Sequence, residues 1–171
     1  MKRLRFFLAG LLVGFVALTG LVGCVTNSNP QGLLLWLEMP SEVSAGETVP
    51  LTLKIKNISA RLIVLGHAHP AYNFIITRSD GTEVWRWATG ILDILLAKSV
   101  APGEELSFMA EWDQRELQGD ERHGPVEGDL VTPGTYWVHG IFHGNLLEKV
   151  YGGGAEELKT KPKRLVIKLS D

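Results

Sequence analysis

The five histidines are the side chains of this sequence best suited to holding a metal ion. His67 and His69, one residue apart, place both imidazoles on one side of an extended chain, and His139 and His143 share a strand face in the same way. Nitrogen donors of this kind suit zinc or copper, but metal sites ordinarily recruit carboxylate or cysteine partners as well. His67-Ala68-His69-Pro70 reads as a loop, and His123 lies in the long 114–131 stretch. Scattered surface histidines are the preferred reading, with no cofactor expected. A metal-binding envelope protein built on His67, His69, His139 and His143 is kept as the alternative.

The acidic residues Asp113, Glu116, Asp120, Glu121, Glu127 and Asp129 crowd one stretch, residues 114–131 and the aspartate before it. They fit no calcium loop, which needs oxygen ligands at alternate positions and a closing bidentate glutamate. Solvated loop charge explains them. The same stretch carries Arg115, Arg122 and His123 and is the candidate interaction loop, because an insertion between strands is where a sandwich carries added function. Gly152-Gly153-Gly154 lacks the Lys and Ser/Thr of a phosphate loop. No Gly-x-Ser-x-Gly elbow is present, so no catalytic residue is expected and the chain does not read as an enzyme.

Cys24 is the only cysteine and cannot form an intramolecular disulfide. Ahead of it, Lys2, Arg3 and Arg5 precede an apolar run over residues 6–22, the order of a signal peptide. That run is shorter than the roughly 20 residues needed to span hydrocarbon and is broken by Gly10, Gly14 and Gly20. Leu21-Val22-Gly23-Cys24 resembles the lipobox of bacterial lipoproteins, in which the cysteine is acylated and becomes the first mature residue. Residues 1–23 are therefore expected to be a lipoprotein signal peptide, and residues 24–32 a lipidated Cys24 with a flexible tether. The expected location is the cell envelope outside the cytoplasm: the outer membrane where the organism has one, otherwise the outer face of the plasma membrane. Removing residues 1–23 leaves 14 basic against 19 acidic side chains, a net charge of −5. That balance excludes a nucleic-acid partner.

Residues 33–171 must position whatever the histidines and the loop do, and their periodicity is β. Val49, Leu51, Leu53 and Ile55 alternate with Pro50, Thr52, Lys54 and Lys56, one face for a core and one for water. Strands are predicted over 33–37, 49–56, 61–65, 72–78, 83–88, 105–112, 135–142 and 164–169, with 91–100 open between helix and strand. Asp80-Gly81 suits a tight hairpin. Trp85 and Trp87 are expected on the face opposite Val84 and Arg86, in the core or covering its rim, with an exposed aromatic binding patch as the alternative. Many short strands with turn signals between them predict an all-β, Ig-like antiparallel β-sandwich of about 7–9 strands, forming one domain over 33–171.

The motifs Phe74-Ile-Ile-Thr-Arg-Ser-Asp-Gly-Thr-Glu-Val-Trp-Arg-Trp87, Ala101-Pro-Gly-Glu-Glu-Leu106, Glu111-Trp-Asp113 and Thr132-Pro-Gly-Thr-Tyr136, with the Leu51-to-Asn57 strand, occur in that order. Over about residues 33–142 the chain resembles the BsuPI domain, the intracellular proteinase inhibitor family of Bacillus. The resemblance implies an Ig-like β-sandwich and proteinase inhibition. It marks no reactive residue, and it departs from the family in its export signal and its long 114–131 stretch. Tyr136 after its Pro-Gly turn is expected to cap a corner through its hydroxyl.

The reading that unites these features is a membrane-anchored lipoprotein carrying a non-catalytic, Ig-like protein-binding domain, with proteinase inhibition its specific form. Its partners would be the membrane, through lipid on Cys24, and a protein, a protease on the inhibitor reading. A purely structural envelope component remains the other alternative.

Overall fold

The computed structural model of the protein describes residues 27–29, 32–118, 126–147 and 157–170. Among them run thirteen strands: β1 (Asn27–Asn29), β2 (Leu33–Glu38), β3 (Glu42–Ser44), β4 (Val49–Asn57), β5 (Ile63–Arg78), β6 (Glu83–Arg86), β7 (Leu92–Val100), β8 (Glu105–Trp112), β9 (Arg115–Gln118), β10 (Val126–Leu130), β11 (Gly134–Leu146), β12 (Leu158–Lys159) and β13 (Lys163–Lys168). The signal-peptide and lipobox residues Leu21, Val22, Gly23 and Cys24 lie outside the described residues, as do Arg122 and His123.

Alternation in the sequence becomes two packed layers. One sheet has the order β1-β2-β4-β8; the other has β3-β13-β11-β5-β6, with β12 added to β11 and β7 to β5. Every described pairing is antiparallel except β13 with β3. Leu51, Leu53 and Ile55 of β4 face inward and meet Phe74 and Ile76 of β5, Val138 and Phe142 of β11 and Leu165 of β13 in one core. Each such side chain withdrawn from water contributes about 1.5–3 kcal/mol, so this inner layer holds the sheets together. The result is the Ig-like β-sandwich that the pattern predicts. It has more strands than expected because short edge pieces, β1, β3 and β12, and the β9–β10 pair carry little periodicity of their own.

Several local expectations are met. Gly81 takes φ +88° in the β5–β6 turn, where Thr82 N donates to Asp80 Oδ1 at 2.9 Å. The Tyr136 hydroxyl donates to the Thr132 carbonyl at 2.6 Å, closing the corner before β11.

Others are corrected. Residues 66–71, read as a loop because of His67-Ala-His69-Pro70, are part of the continuous β5. Pairing on both sides overrides the local signal there: His67 is opposite Gly144 of β11 and also opposite Leu96 of β7. The approach of β11 is so close that a Cβ on Gly144 would sit on the Gly66 carbonyl and 2.8 Å from the His67 Cβ. The choice left open over residues 91–100 resolves as strand, β7 covering Leu92–Val100. Asn27–Asn29, assigned to the tether, pairs with β2 as strand β1. In β6 the simple alternation fails at a register shift opposite Ile76 and Thr77, so Val84 is buried and Trp85 also packs against the core.

At the end of β4, Asn57 is fully buried and uses its whole carboxamide. Its Nδ2 donates to the carbonyls of Arg61 at 2.8 Å and Val100 at 2.9 Å. Its Oδ1 accepts from Ser59 N at 2.9 Å and Ser59 Oγ at 2.7 Å. The side chain thereby ties the exit of β4 to the entry of β5 and the end of β7. Asn57→Ala would strip partners from buried backbone groups, each costing about 1–3 kcal/mol, so we expect urea denaturation to show a loss of roughly 3–5 kcal/mol. A loss below about 1 kcal/mol would mean that water replaces the side chain without penalty.

Candidate functional site

The 114–131 stretch, read from sequence as a long loop, begins and ends as a hairpin. Strand β9 pairs antiparallel with β10, Val126 opposite Gln118 and Leu130 opposite Arg115, and β9 lies beside β6. The hairpin is pinned at its base by Gln114, a polar residue only 1% exposed. Gln114 Nε2 donates to the carbonyls of Ser44 at 2.8 Å and Glu47 at 2.6 Å, and its Oε1 accepts from Gly46 N at 3.0 Å. Its own carbonyl accepts from Val131 N at 2.8 Å. Gln114 adopts φ +62°, a left-handed conformation that costs a non-glycine residue energy and is held here by the surrounding bonds. Nothing in the sequence marked it, because a glutamine in a polar stretch reads as solvated.

The candidate interaction residue Arg115 is engaged by the hairpin itself. Its guanidinium donates to the Gly128 carbonyl at 3.1 Å and lies 3.5 Å from Asp113 Oδ2, while its carbonyl accepts from Trp112 Nε1 at 2.8 Å. A second clamp comes from the sheet, where Arg78 of β5 pairs with Glu116 of β9. Both side chains are about one-third exposed, so the pair steers the hairpin more than it stabilises it. Asp113 and Glu116, two members of the acidic cluster, are thus arginine partners.

Between β6 and this hairpin opens a cleft of about 520 Å³ lined by Trp85, Arg86, Trp87, Arg115, Glu116 and Leu117, among others. Trp85 reaches the core through Trp112, ring centroids 6.3 Å apart, and Trp87 stacks on Tyr72 at 4.4 Å. Arg86 is held by both carboxylate oxygens of Glu83 at 2.5 and 2.6 Å. Flat aromatic surfaces beside fixed charges of both signs suit a polypeptide, whose apolar side chains stack while its amides and charges pair. The tryptophans cover the rim of the core, one of the two places expected of them.

Among the described residues the histidines are spread over β5 and β11. His67 lies against Phe142, centroids 5.9 Å apart, with Nδ1 bonded to the Ala68 carbonyl. His139 and His143 share the outer face of β11, as their spacing predicts, but His143 is buried and its Nδ1 is 2.6 Å from Glu157 Oε1. Burial, and then Lys159, hold the His139 imidazole below its usual range. Burial pushes the Glu157 carboxyl up, yet hydrogen bonds from Lys159 and His143 outweigh it and leave it below the usual carboxylate range. A carboxyl depressed on folding contributes stability above its unfolded pKa and loses it as pH falls through the folded value. Among the described residues no three His, Cys, Asp or Glu side chains gather as a metal would need, so the metal-binding alternative finds no cluster there.

Gln114→Gly keeps the backbone conformation and removes the pin. Loss of about 1.4 kcal/mol of local stability raises the opened population tenfold, so we expect β9 amides to exchange at least about tenfold faster while β4 amides do not. Unchanged β9 exchange would show that the Arg78–Glu116 pair holds the hairpin alone.

The family model described as BsuPI, intracellular proteinase inhibitor, matches residues 38–146. No curated protein sequence matches the chain. Among solved structures, similar folds include Spo0M, a sporulation control protein from Bacillus subtilis (12% identity, 80% of this chain and 49% of that one, TM-score 0.43). The CARDB domain of the PF1109 protein from Pyrococcus furiosus, solved with di-metal ions, is another (13%, 81% and 94%, TM-score 0.41). A β-glucosidase from Listeria innocua also matches (15%, TM-score 0.35), with 80% of this chain covering only 16% of the enzyme. At these identities and TM-scores the three carry nothing about activity. The family match, spanning well over half of the chain and taking in β3 to β11 with the tryptophan strand and the Pro-Gly turns, shows that this protein belongs to the BsuPI intracellular proteinase inhibitor family.

Proposed function

We propose that this chain is an envelope lipoprotein that presents a BsuPI-type domain as a proteinase inhibitor, with the β9–β10 hairpin and the adjoining tryptophan cleft as its contact surface. The observation that carries this reading is the pinned hairpin. An inhibitor needs a segment that enters a protease cleft in extended form and is held there against cleavage. The glycines of 114–131 argue from composition against rigidity, but Gln114, Arg115 and the Arg78–Glu116 pair restrain both strands. With Arg115 committed to Gly128 and Asp113, Arg122 is the basic side chain left to suit a trypsin-like pocket; it lies outside the described residues.

The remaining parts of the proposal come from the sequence: a signal peptide over 1–23, diacyl or triacyl modification of Cys24, and one folded domain from residue 33 onward. Stable attachment by lipid takes more than one chain, each buried methylene contributing about 0.8 kcal/mol. The family's name places its founding members inside cells. Export would turn the same scaffold toward proteases of the envelope.

The lipid-free mature chain, residues 25–171, is expected to inhibit at least one serine protease stoichiometrically and to remain uncut on a gel. Failure against a panel of serine and metalloproteases, or rapid cleavage within 114–131, would leave an Ig-like interaction module of another kind. Cys24→Ala should abolish the acyl mass and release the protein from the membrane fraction. A variant that stays there with unchanged apparent mass would sink the lipid anchor.

A further inference from the structure

The two sheets end unevenly on one flank. Strand β8 is the last strand of its sheet and, among the described residues, pairs with β4 alone. Its Phe108 lies against Tyr72 of β5 and Phe142 of β11, ring centroids 5.0 and 5.7 Å away, so β8 covers those two strands. The other sheet continues one position further, because β7 is added outside β5.

Burial along β7 records the overhang. Val100, Lys98 and Leu96 are opposite Ile63, Leu65 and His67, and opposed residues share a face, so all three point toward the first sheet. Val100 is fully buried, yet Lys98 is exposed and Leu96 is 42% exposed. Cover from the first sheet gives out between Val100 and Lys98.

The edge of β8 beside this overhang has main chain to offer. Asn57 N donates to the Glu104 carbonyl, which sets the even-numbered residues of β8 in bonding contact with β4 and turns the N–H and C=O groups of Glu105, Ser107 and Met109 outward. The Tyr72 hydroxyl donates to the Met109 carbonyl at 2.9 Å from that outer side. The main-chain groups of Ser107 have no partner among the described residues.

Behind the same edge lies a cavity of about 180 Å³, bounded by Leu106, Ser107 and Phe108 on one side and by His67, Phe142 and Lys98 on the other. An apolar cavity of roughly 150 Å³ accommodates benzene, so this one has room for one large apolar side chain. Lys98 forms no ion pair among the described residues, so its charge is open to an anion. A small apolar acid would fill the cavity and meet Lys98 but leave the β8 edge bare. An extended peptide satisfies all three features together.

We infer that an extended segment of a partner protein adds to β8 as a fifth strand of the first sheet. It places an apolar side chain in the cavity and sets a carboxylate, two residues along on the same face, against Lys98. The ladder at Ser107 supplies sequence-independent bonds, while the cavity and Lys98 select the sequence. This surface uses the Leu106 end of β8, away from the β9–β10 hairpin, and does not rest on protease inhibition.

A fluorescein-labelled, threonine-rich peptide with phenylalanine and glutamate two places apart is titrated with the full chain while its polarisation is read. A sister peptide carries lysine in place of the glutamate. Ser107→Pro removes an N–H that faces away from β4, so it spares the sheet while blocking a new strand. Lys98→Glu reverses the charge at an exposed position, and near-UV circular dichroism checks the fold of both variants.

Strand addition predicts saturable binding of the glutamate peptide, weakened about fivefold or more by either substitution, with the lysine peptide recovering the loss in Lys98→Glu. No saturable binding by about 1 mM peptide overturns the site. Binding untouched by a folded Ser107→Pro overturns strand addition, and so does equal competition by free phenylpropionate, which assigns the cavity to a small acid. Should Ser107→Pro not fold, Lys98→Glu decides: a switch of preference to the lysine peptide supports the proposal, and unchanged preference overturns it. Dimerisation of the chain in sedimentation, with no peptide bound, overturns it in favour of a second copy on this edge.

Discussion

The sandwich is closed at one end by a single carboxamide. Asn57 sits where β4 must stop, where β5 begins and where β7 returns, and it satisfies polar groups from all three neighbourhoods while itself fully buried. In such a medium a paired hydrogen bond is worth more than in water and an unpaired one is far more costly, so the arrangement selects one register for the strands around it. The main chain follows suit: Asn57 N bonds the Glu104 carbonyl, and Gly103 N bonds the Asn57 carbonyl. The sheet edges are positioned relative to one another because this corner has one low-energy solution.

The same device recurs at the other places where the fold is complicated. Gln114 holds the β9–β10 hairpin to the turn between β3 and β4. Asn73 holds the far end of the tryptophan strand, donating to the Ala88 carbonyl at 2.9 Å and accepting from Ala88 N at 3.0 Å. A carboxamide carries a donor and an acceptor without charge, so it can replace a stretch of backbone ladder where two strands diverge. The apolar core supplies cohesion, and the three amides supply the geometry of the parts that can meet a partner.

Much of the body was legible from the chain because it rests on local rules. The alternation of β4, the Asp80-Gly81 turn and the Tyr136 corner each depend on neighbours within a few residues. The BsuPI motifs are built from the same parts. What escaped is what tertiary pairing decides. Residues 66–71 look like a loop until β11 and β7 both bond them. Strand β7 shows no period of two because neither of its faces is fully covered. The hairpin hides among glycines and acids since its pairing bridges the segment between Gln118 and Val126, and Gln114 looks like solvent-facing chain until its burial is seen. The expected export signal and lipobox, residues 1–24, lie outside the described residues.

Asn57 and Gln114 lie at opposite ends of β4, whose nine residues span about 27 Å at the usual strand rise. The hairpin is therefore carried by the strand rather than hung from it, braced at one end of a span whose other end is fixed by Asn57. A surface held in this way has its shape before anything meets it. Complementarity must be present at first contact, little ordering remains to be paid on binding, and little slack is left for a second partner of different shape.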